Sequence, residues 1–425
     1  LHESFIKIYK KVLKKKKIFF VLFLNNMQIK KINIKIFSSM TSFFCLVAFF
    51  SWIYLLFFNS RKYFSYNELF WSNMTTFERF YKKNNNENNQ KICVIIPARN
   101  EEKNISETLK SIVKQGLRNI SILIIDDNSN DKTYFIASNL LKRRKIKHQI
   151  VKGKKLPNGW SGKVWALKQA IDILKYKQID YYLFLDSDII LKKGIITKAV
   201  EFLSQKKLLM VSLMAKLNCS SNWEKLLIPA FIYFFQKIYP FSKVNDPSNS
   251  LAAAAGGFIL CKSEVFREEN LYDQIKDKVI DDCNIAKKIK KKGNIWLGLT
   301  ENVYSKRCYS NFSDIWKMVS RTAYEQLNFS PLYLCFSILG MCIIYLYPVI
   351  VTFSFGKDEF SLFLLNNLTI FFIIISFRPT VKFYNLSIFY YLLLPLASLL
   401  YIMMTIASAF NFHFRKGNIW KGRRY

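Results

Sequence analysis

The stretch YYLFLDSDIIL, Tyr181–Leu191, sets an apolar run of strand character against two carboxylates one residue apart. Burial stabilises the apolar side chains, whereas an unpaired charge left beside them costs on the order of several kcal/mol. Asp186 and Asp188 therefore need a compensating charge, and the flanking sequence shows what kind of site could supply it. KICVIIPA, from Lys91, is a β-branched apolar run that ends at Pro97. RNEEKNISETLKSIVKQG follows, with Ile105, Leu109, Ile112 and Val113 on one helical face and Gly116 as the stop. NISILIIDDNSND repeats the design: a buried strand halts at Asp126 and Asp127, and TYFIASNLLKR continues as a helix. IKHQIVKG reads as a third strand and YYLFLDSD as a fourth. Buried strands alternating with amphipathic helices predict an α/β domain with a mainly parallel sheet.

In such sheets ligands bind in the crevice at the C-terminal strand ends. Asp126, Asp127, Asp186 and Asp188 all fall there, where a bound cation can offset their charge. An oxygen-only set of this kind suits Mg²⁺ or Mn²⁺, which takes one or two protein carboxylates and completes its shell with phosphate oxygens and water. D-x-D alone is common in solvated turns. D-x-D capping an apolar strand, after DDNS at another strand end, is far more specific.

The 425-residue chain is 51% hydrophobic and 16% aromatic, which is high for a soluble protein. The excess is concentrated in Phe37–Phe58, Leu332–Phe355, Phe360–Phe377 and Leu386–Phe412, segments of bilayer-spanning length. The expected organisation is a basic arm at 1–36, a transmembrane helix at 37–58, a linker at 59–90, a domain at 91–329, a transmembrane region at 330–412 and a basic tail at 413–425. The arm holds a short apolar island, Ile18–Leu24, with no small-residue cleavage site after it, and Met27 or Met40 is the expected working start. The net charge of +35 comes mainly from lysines scattered along the chain without a nucleic-acid-binding motif. It points to anionic headgroups and an acidic substrate rather than to nucleic acid. The eight cysteines form no C-x-x-C pair, which argues for reduced thiols and against zinc.

VIIPARNE (Val94–Glu101), IIDDNSND (Ile124–Asp131), GWSGKVWAL (Gly159–Leu167), FLDSD (Phe184–Asp188), AAAAGGFIL (Ala252–Leu260) and VIDDCNIAKKI (Val279–Ile289) together resemble the family 2 glycosyltransferases, which have the GT-A nucleotide-sugar-binding fold. GWSGKVWA, IWKMVSRTAYEQL (Ile315–Leu327) and the terminal WKGRRY are similar to the hopene-associated membrane branch, related to ceramide glucosyltransferases. The resemblance implies that Pro97, Ala98 and Glu101 meet the nucleotide. It implies that Asp127, with Asp126 beside it, hydrogen-bonds a uracil ring, and that Lys163 and Arg321 lie near the diphosphate. Asp186 and Asp188 would hold the metal. Asp282 would be the catalytic base of an inverting transfer, with Asp281 where the family usually has Glu. The Q-x-x-R-W signature of processive synthases is missing from KMVSRTAYEQL, which favours transfer of a single sugar.

Each of these residues has a plainer reading. Asp126, Asp127, Asp281 and Asp282 could cap the helices that follow them. Lys163 and Arg321 could be surface cations, and Trp160 and Trp165 core residues rather than sugar contacts. Gly256 and Gly257 suit either a turn or close approach near an acceptor. Trp223–Phe241 is too apolar for a solvated helix, while Pro229, Glu224 and Lys237 make it a poor span; it reads as an interfacial helix, with a buried core helix as the other reading.

The expectation is thus an integral membrane enzyme with a cytoplasmic catalytic domain, moving a sugar from a UDP-linked donor to a lipid hydroxyl. Arg61, Lys62, Lys82 and Lys83 agree with that orientation, the lysines of the arm disagree, and three C-terminal spans would put Arg415, Lys416, Lys421, Arg423 and Arg424 on the wrong side. Two rivals remain open: transfer to a polyprenyl phosphate, which needs no base, and a silent nucleotide-sugar-binding scaffold.

Overall fold

The computed structural model describes residues 39–58, 76–82, 90–144, 146–267, 270–355, 359–414, 419–420 and 423–424. The expected basic arm, most of the linker and the lysines and arginines of the tail from Arg415 to Lys421 lie outside the described residues. The first described element is helix α1, Ser39–Leu56. The domain then opens on β1 (Ile92–Ala98), α2 (Ile105–Val113), β2 (Ile120–Asp126), α3 (Thr133–Arg143), β3 (Lys147–Lys152), α4 (Gly162–Leu174) and β4 (Tyr181–Leu185). These are the alternating elements the sequence predicts. The strands pair in parallel, with β1 between β2 and β4, because each helical crossover returns the chain to the end of the sheet where the previous strand began.

After β4 the pattern changes. As expected, the first strand ends at the carboxylates, β4 stopping at Leu185, but a further strand, β5 (Ile189–Leu191), follows them and pairs antiparallel with the end of β8 (Ile295–Ser305). Asp186, Ser187 and Asp188 are the turn between them, closed by Ile189 N–H donating to the Asp186 carbonyl at 3.2 Å. With β6 (Met210–Lys216) and β7 (Phe258–Lys262) the mixed sheet has the order β3-β2-β1-β4-β7-β6-β8-β5.

Strand alternation sends Val94, Ile96, Ile122, Ile124 and Leu183 to one face of the sheet, where they pack on α2 and on α5 (Ile195–Gln205). Ile95, Leu123 and Phe184 go to the other face, beneath α4 and α7 (Asp281–Lys290). Between β6 and β7 lies α6 (Asn222–Ile238), the expected interfacial helix. Its packing is that of the core-helix reading. Ile228 and Ile232 belong to the domain core, while Leu227, Ala230 and Tyr233 join a separate apolar cluster with Trp52 and Leu56 of α1. Trp223 and Ile238, near its two ends, stay exposed.

That cluster also takes Ile315 and Val319 of α8 (Phe312–Ser320) and leads past α9 (Ala323–Gln326) to three apolar helices, α10 (Pro331–Val351), α11 (Phe360–Phe383) and α12 (Leu394–Phe414). With its preceding turn, α12 forms the apolar stretch Ile388–Phe414, so the described residues include four stretches long and apolar enough to cross a membrane. Helix α11 outruns its apolar window, continuing past Arg378 to Phe383, because helix propagation needs backbone hydrogen bonds and not apolar side chains.

Candidate active site

The turn at Asp186–Asp188 sits at the C-terminal end of β4, next to the end of β1 and opposite the start of α7. Four side chains from three elements meet there. Lys163, in the first turn of α4, places Nζ 2.9 Å from Asp186 Oδ1 and 3.5 Å from Asp281 Oδ2. Gly256 donates its backbone N–H to Asp282 Oδ2 at 2.8 Å, and Cys283 N–H reaches Asp282 Oδ1 at 2.7 Å. A Cβ on Gly256 would stand 3.0 Å from Lys163 Nζ, 3.3 Å from Asp282 Oδ2 and 3.7 Å from Asp186 Oδ2. The glycine is there because three charged groups close over its α-carbon.

Arg307, just after β8, is a residue the sequence reading missed. Its Nε donates to Asp188 Oδ2 at 2.6 Å and its Nη2 to Glu101 Oε1 at 2.7 Å. Glu101 is buried, its other oxygen accepting from Asn104 at 2.8 Å. The charge that compensates Asp188 in this structure is thus an arginine. No spacing or periodicity marks it, since its two partners lie 119 and 206 residues away in the chain.

Electrostatics follow from this crowding. Burial pushes Asp282 up to about 6, helped by neighbouring Asp281 and opposed by Lys163. Asp188 is raised by burial and by Asp186, against Arg307. Burial alone would lower Lys163 and Arg307, but the carboxylates around each hold both well above their ordinary values. Arg321, at the end of α8, is lowered by burial and stays a cation within electrostatic range of Tyr309, Arg307, Asp281 and Asp186. Five carboxylates (Glu101, Asp186, Asp188, Asp281, Asp282) thus face three cations (Lys163, Arg307, Arg321), leaving room for added positive charge.

Among the described residues no three His, Cys, Asp or Glu side chains converge as a metal cage. Asp186 and Asp188 on one turn nevertheless fit a hard cation that keeps most of its shell for phosphate and water. Pro97 lines a small cavity shared with Lys163, Asp186, Gly256 and Asp281. Ala98 and Asp126 are register partners at the ends of β1 and β2, and Asp127 N–H donates to the Ala98 carbonyl at 2.8 Å. Asp126 also braces its own loop, accepting from Ser129 N–H at 3.2 Å. Beside Asp127 opens a cleft of about 440 Å³ lined by Arg99, Asn128, Asn130, Lys155 and Leu156. Trp160 and Trp165 meet edge to face at 5.0 Å, with Trp160 partly buried against the core and Trp165 Nε1–H donating to the Lys154 carbonyl.

Residues 93–269, from β1 through β7, match the sequence model for glycosyl transferase family 2. A 4,4'-diaponeurosporenoate glycosyltransferase from Staphylococcus haemolyticus is 37% identical over 110 residues, 26% of this chain and 27% of that protein. The minor teichoic acid biosynthesis protein GgaB of Bacillus subtilis is 31% identical over 121 residues, 28% of this chain and 13% of its own length. The chain therefore spans only about a quarter or less of these two relatives. Among solved structures, a mannosyltransferase, PcManGT from Pyrobaculum calidifontis in complex with GDP-Man and Mn²⁺, covers 89% of this chain and 99% of its own at 13% identity and a TM-score of 0.48. S. aureus TarS 1–349 with UDP-GlcNAc covers 69% of this chain and 89% of its own at 16% identity and a TM-score of 0.35.

Proposed function

We propose that the protein is a membrane-bound inverting glycosyltransferase that moves one sugar from a nucleotide donor, UDP-linked, to the hydroxyl of a lipid, of hopanoid or sphingolipid-like class. The observation that carries this reading is the convergence of Lys163, Asp186 and Asp282 on the bare α-carbon of Gly256, since it sets a base with a pKa of about 6 beside a fixed cation. Such a base is ionised at neutral pH and still basic enough to take a proton. The cleft beside Asp127 suits the nucleobase and ribose, and Pro97, which lines the small cavity at the turn, would meet the nucleotide together with Ala98 and Glu101. The Asp127 carboxylate would accept from an imide N–H of uracil. Asp186 and Asp188 would hold Mg²⁺ or Mn²⁺, which supplies charge neutralisation for a diphosphate when bound.

The transfer itself balances simply. Asp282 takes the acceptor hydroxyl proton, the acceptor oxygen bonds the anomeric carbon from the face opposite the phosphate, and the bond to the diphosphate breaks with its electron pair leaving on the nucleotide. Lys163 and Arg321 oppose the negative charge that grows on that leaving group. Because nucleotide sugars of this kind are cytosolic, the α/β domain faces the cytosol, and the apolar helices bring the acceptor to it.

The test is turnover by full-length protein in lipid nanodiscs against UDP- and GDP-sugars, with and without Mn²⁺ or Mg²⁺, beside Asp282→Asn. Metal-dependent use of one donor, lost in the variant, is the expected result. Retained activity in Asp282→Asn would shift the acceptor to one that is already an anion, such as a polyprenyl phosphate. No turnover and no nucleotide binding under any condition would overturn the enzymatic reading and leave a silent binding subunit.

A further inference from the structure

Helix α12 has two apolar faces. Leu394, Ala397, Tyr401, Met404 and Ser408 are buried, whereas Leu396, Leu399, Met403, Ile406 and Phe410 are 41–48% exposed. Each set follows the three-four spacing that draws one stripe along a helix, and the two-residue offset puts the stripes on opposite sides. A span at the edge of a bundle could look the same. What separates the cases is where the two ends of the segment lie.

Both ends lie on the α/β domain. At the entry, Lys216 of β6 stands 4.7 Å over the Phe383 ring, and Tyr384 is buried in the core cluster beneath the sheet. Along the helix, the Tyr401 hydroxyl donates to the Leu227 carbonyl of α6 at 3.0 Å, and Met404 shares a cluster with Ile315 and Val319 of α8. At the exit, Tyr324 of α9 donates its N–H to Ser408 Oγ at 3.0 Å, and its hydroxyl is 3.0 Å from His413 Nε2. Phe412 stacks on Phe329 at 4.5 Å, immediately before α10 begins. A helix that crosses a bilayer carries its far end about 30 Å away, to the other side. This one leaves from the domain and finishes on it.

We propose that α12 does not cross the membrane but lies along the α/β domain within the nearer leaflet, its exposed stripe against lipid acyl chains. The domain and the chain's last residues then share one side of the membrane. The occupant of the stripe is lipid because α12 packs beside α10, whose opening turns expose Leu332, Phe336 and Leu339, continuing the same apolar surface. Charge agrees: Arg415, Lys416, Lys421, Arg423 and Arg424 join Arg61, Lys62 and Lys82 on the domain side, where three C-terminal crossings would part them.

The experiment places a short epitope, in separate full-length proteins, in the Ser354–Glu359 connection, in the Tyr384–Ser387 connection and after Tyr425. Sealed inverted vesicles from an expressing bacterium are treated with protease, with the domain followed by its own antibody. The epitopes after Tyr384 and Tyr425 should disappear together with the domain, and the epitope between α10 and α11 should survive until detergent is added. Alkaline phosphatase and green fluorescent protein fused after Tyr425 repeat the assignment without an insertion. A C-terminal epitope protected while the domain is digested overturns the proposal, as does an even split between the two sides. Digestion of the epitope between α10 and α11 overturns it as well, because no pair of spans would remain for α12 to stand apart from. No turnover is read, so the outcome is independent of whether a sugar is transferred.

Discussion

Asp282 accepts two backbone N–H bonds and still titrates near 6, because burial and Asp281 outweigh those bonds and Lys163. A base must lose its proton before it can work, so kcat/KM should climb with pH and level off above about 6, and Asp282→Asn should fall by roughly 10³. A profile flat from pH 5 to 7 would deny Asp282 the role. Arg307 gives a second prediction at this scale. It ties Asp188 to Glu101, so any cation that uses Asp188 competes with the guanidinium. Arg307→Gln should tighten Mn²⁺ binding in the absence of nucleotide by about tenfold, read by electron paramagnetic resonance, since every tenfold is only ~1.4 kcal/mol. Arg307→Lys should stay close to wild type, and equal affinities in all three proteins would show that Arg307 does not compete. Asp186, Asp188, Asp281, Asp282 and Lys163 were legible in the sequence because each sits in a short motif at an element boundary. Arg307 was not, because what defines it is a pair of contacts made only when β8 returns beside β5.

At the scale of elements, the parallel half of the sheet could be read directly, since each strand is a β-branched run followed by a helix-period pattern. The later half could not. YYLFLDSD reads as one strand with its carboxylates at the end, and only the antiparallel pairing of β5 with β8 shows that Ile189–Leu191 starts a second strand. Helix α6 left two readings open for another reason: an apolar helix buried on two sides and one lying at a bilayer surface have much the same composition. Its start is specified by Ser221 and Glu224, which form a reciprocal capping box. Glu224 also accepts from Asn218, from Ser220 and, at 2.6 Å, from Tyr309 N–H, so it joins the start of α6 to the segment carrying Arg307. Although burial alone would raise it, these donors lower Glu224 to about 2 from an ordinary 4.5. Its unfolded form therefore binds the proton more readily, and its stabilisation is full above pH 4.5 and fades as pH falls toward 2. Glu224→Gln should cost about 2 kcal/mol at neutral pH, measured by denaturant unfolding in detergent, and should weaken the acid-side fall in stability. An unchanged midpoint would place the work of this junction elsewhere. Gly256→Ala belongs here too: its methyl would meet Lys163 Nζ at 3.0 Å, so turnover should fall at least tenfold with little change in melting temperature.

For the whole molecule, the consequence is that the α/β segment and the apolar helices share an apolar cluster. Leu227, Ala230 and Tyr233 of α6 and Ile315 and Val319 of α8 share one apolar cluster with side chains from α1, α10, α11 and α12. Tyr233 hydrogen-bonds Ser376 of α11 at 2.8 Å, and Trp52 of α1 donates to the Ile344 carbonyl at 3.1 Å. The same helices reach the site: α12 holds Tyr324, and its neighbour Glu325 accepts from Ile280 N–H at 3.4 Å, just where α7 begins with Asp281 and Asp282. The domain boundary at residue 329, drawn from hydropathy, therefore cuts through a packed interface. A fragment of residues 91–329 should expose a contiguous apolar patch and self-associate, because each buried aliphatic or aromatic side chain returned to water costs about 1.5–3 kcal/mol. Light scattering and thermal unfolding of that fragment, beside the full chain in nanodiscs, would check it. Aggregation without detergent and a lower, broadened transition are expected. A monodisperse fragment with the full chain's donor affinity would show instead that the helices serve only to anchor it, and that the contacts from α12 through α9 to α7 contribute nothing to the site.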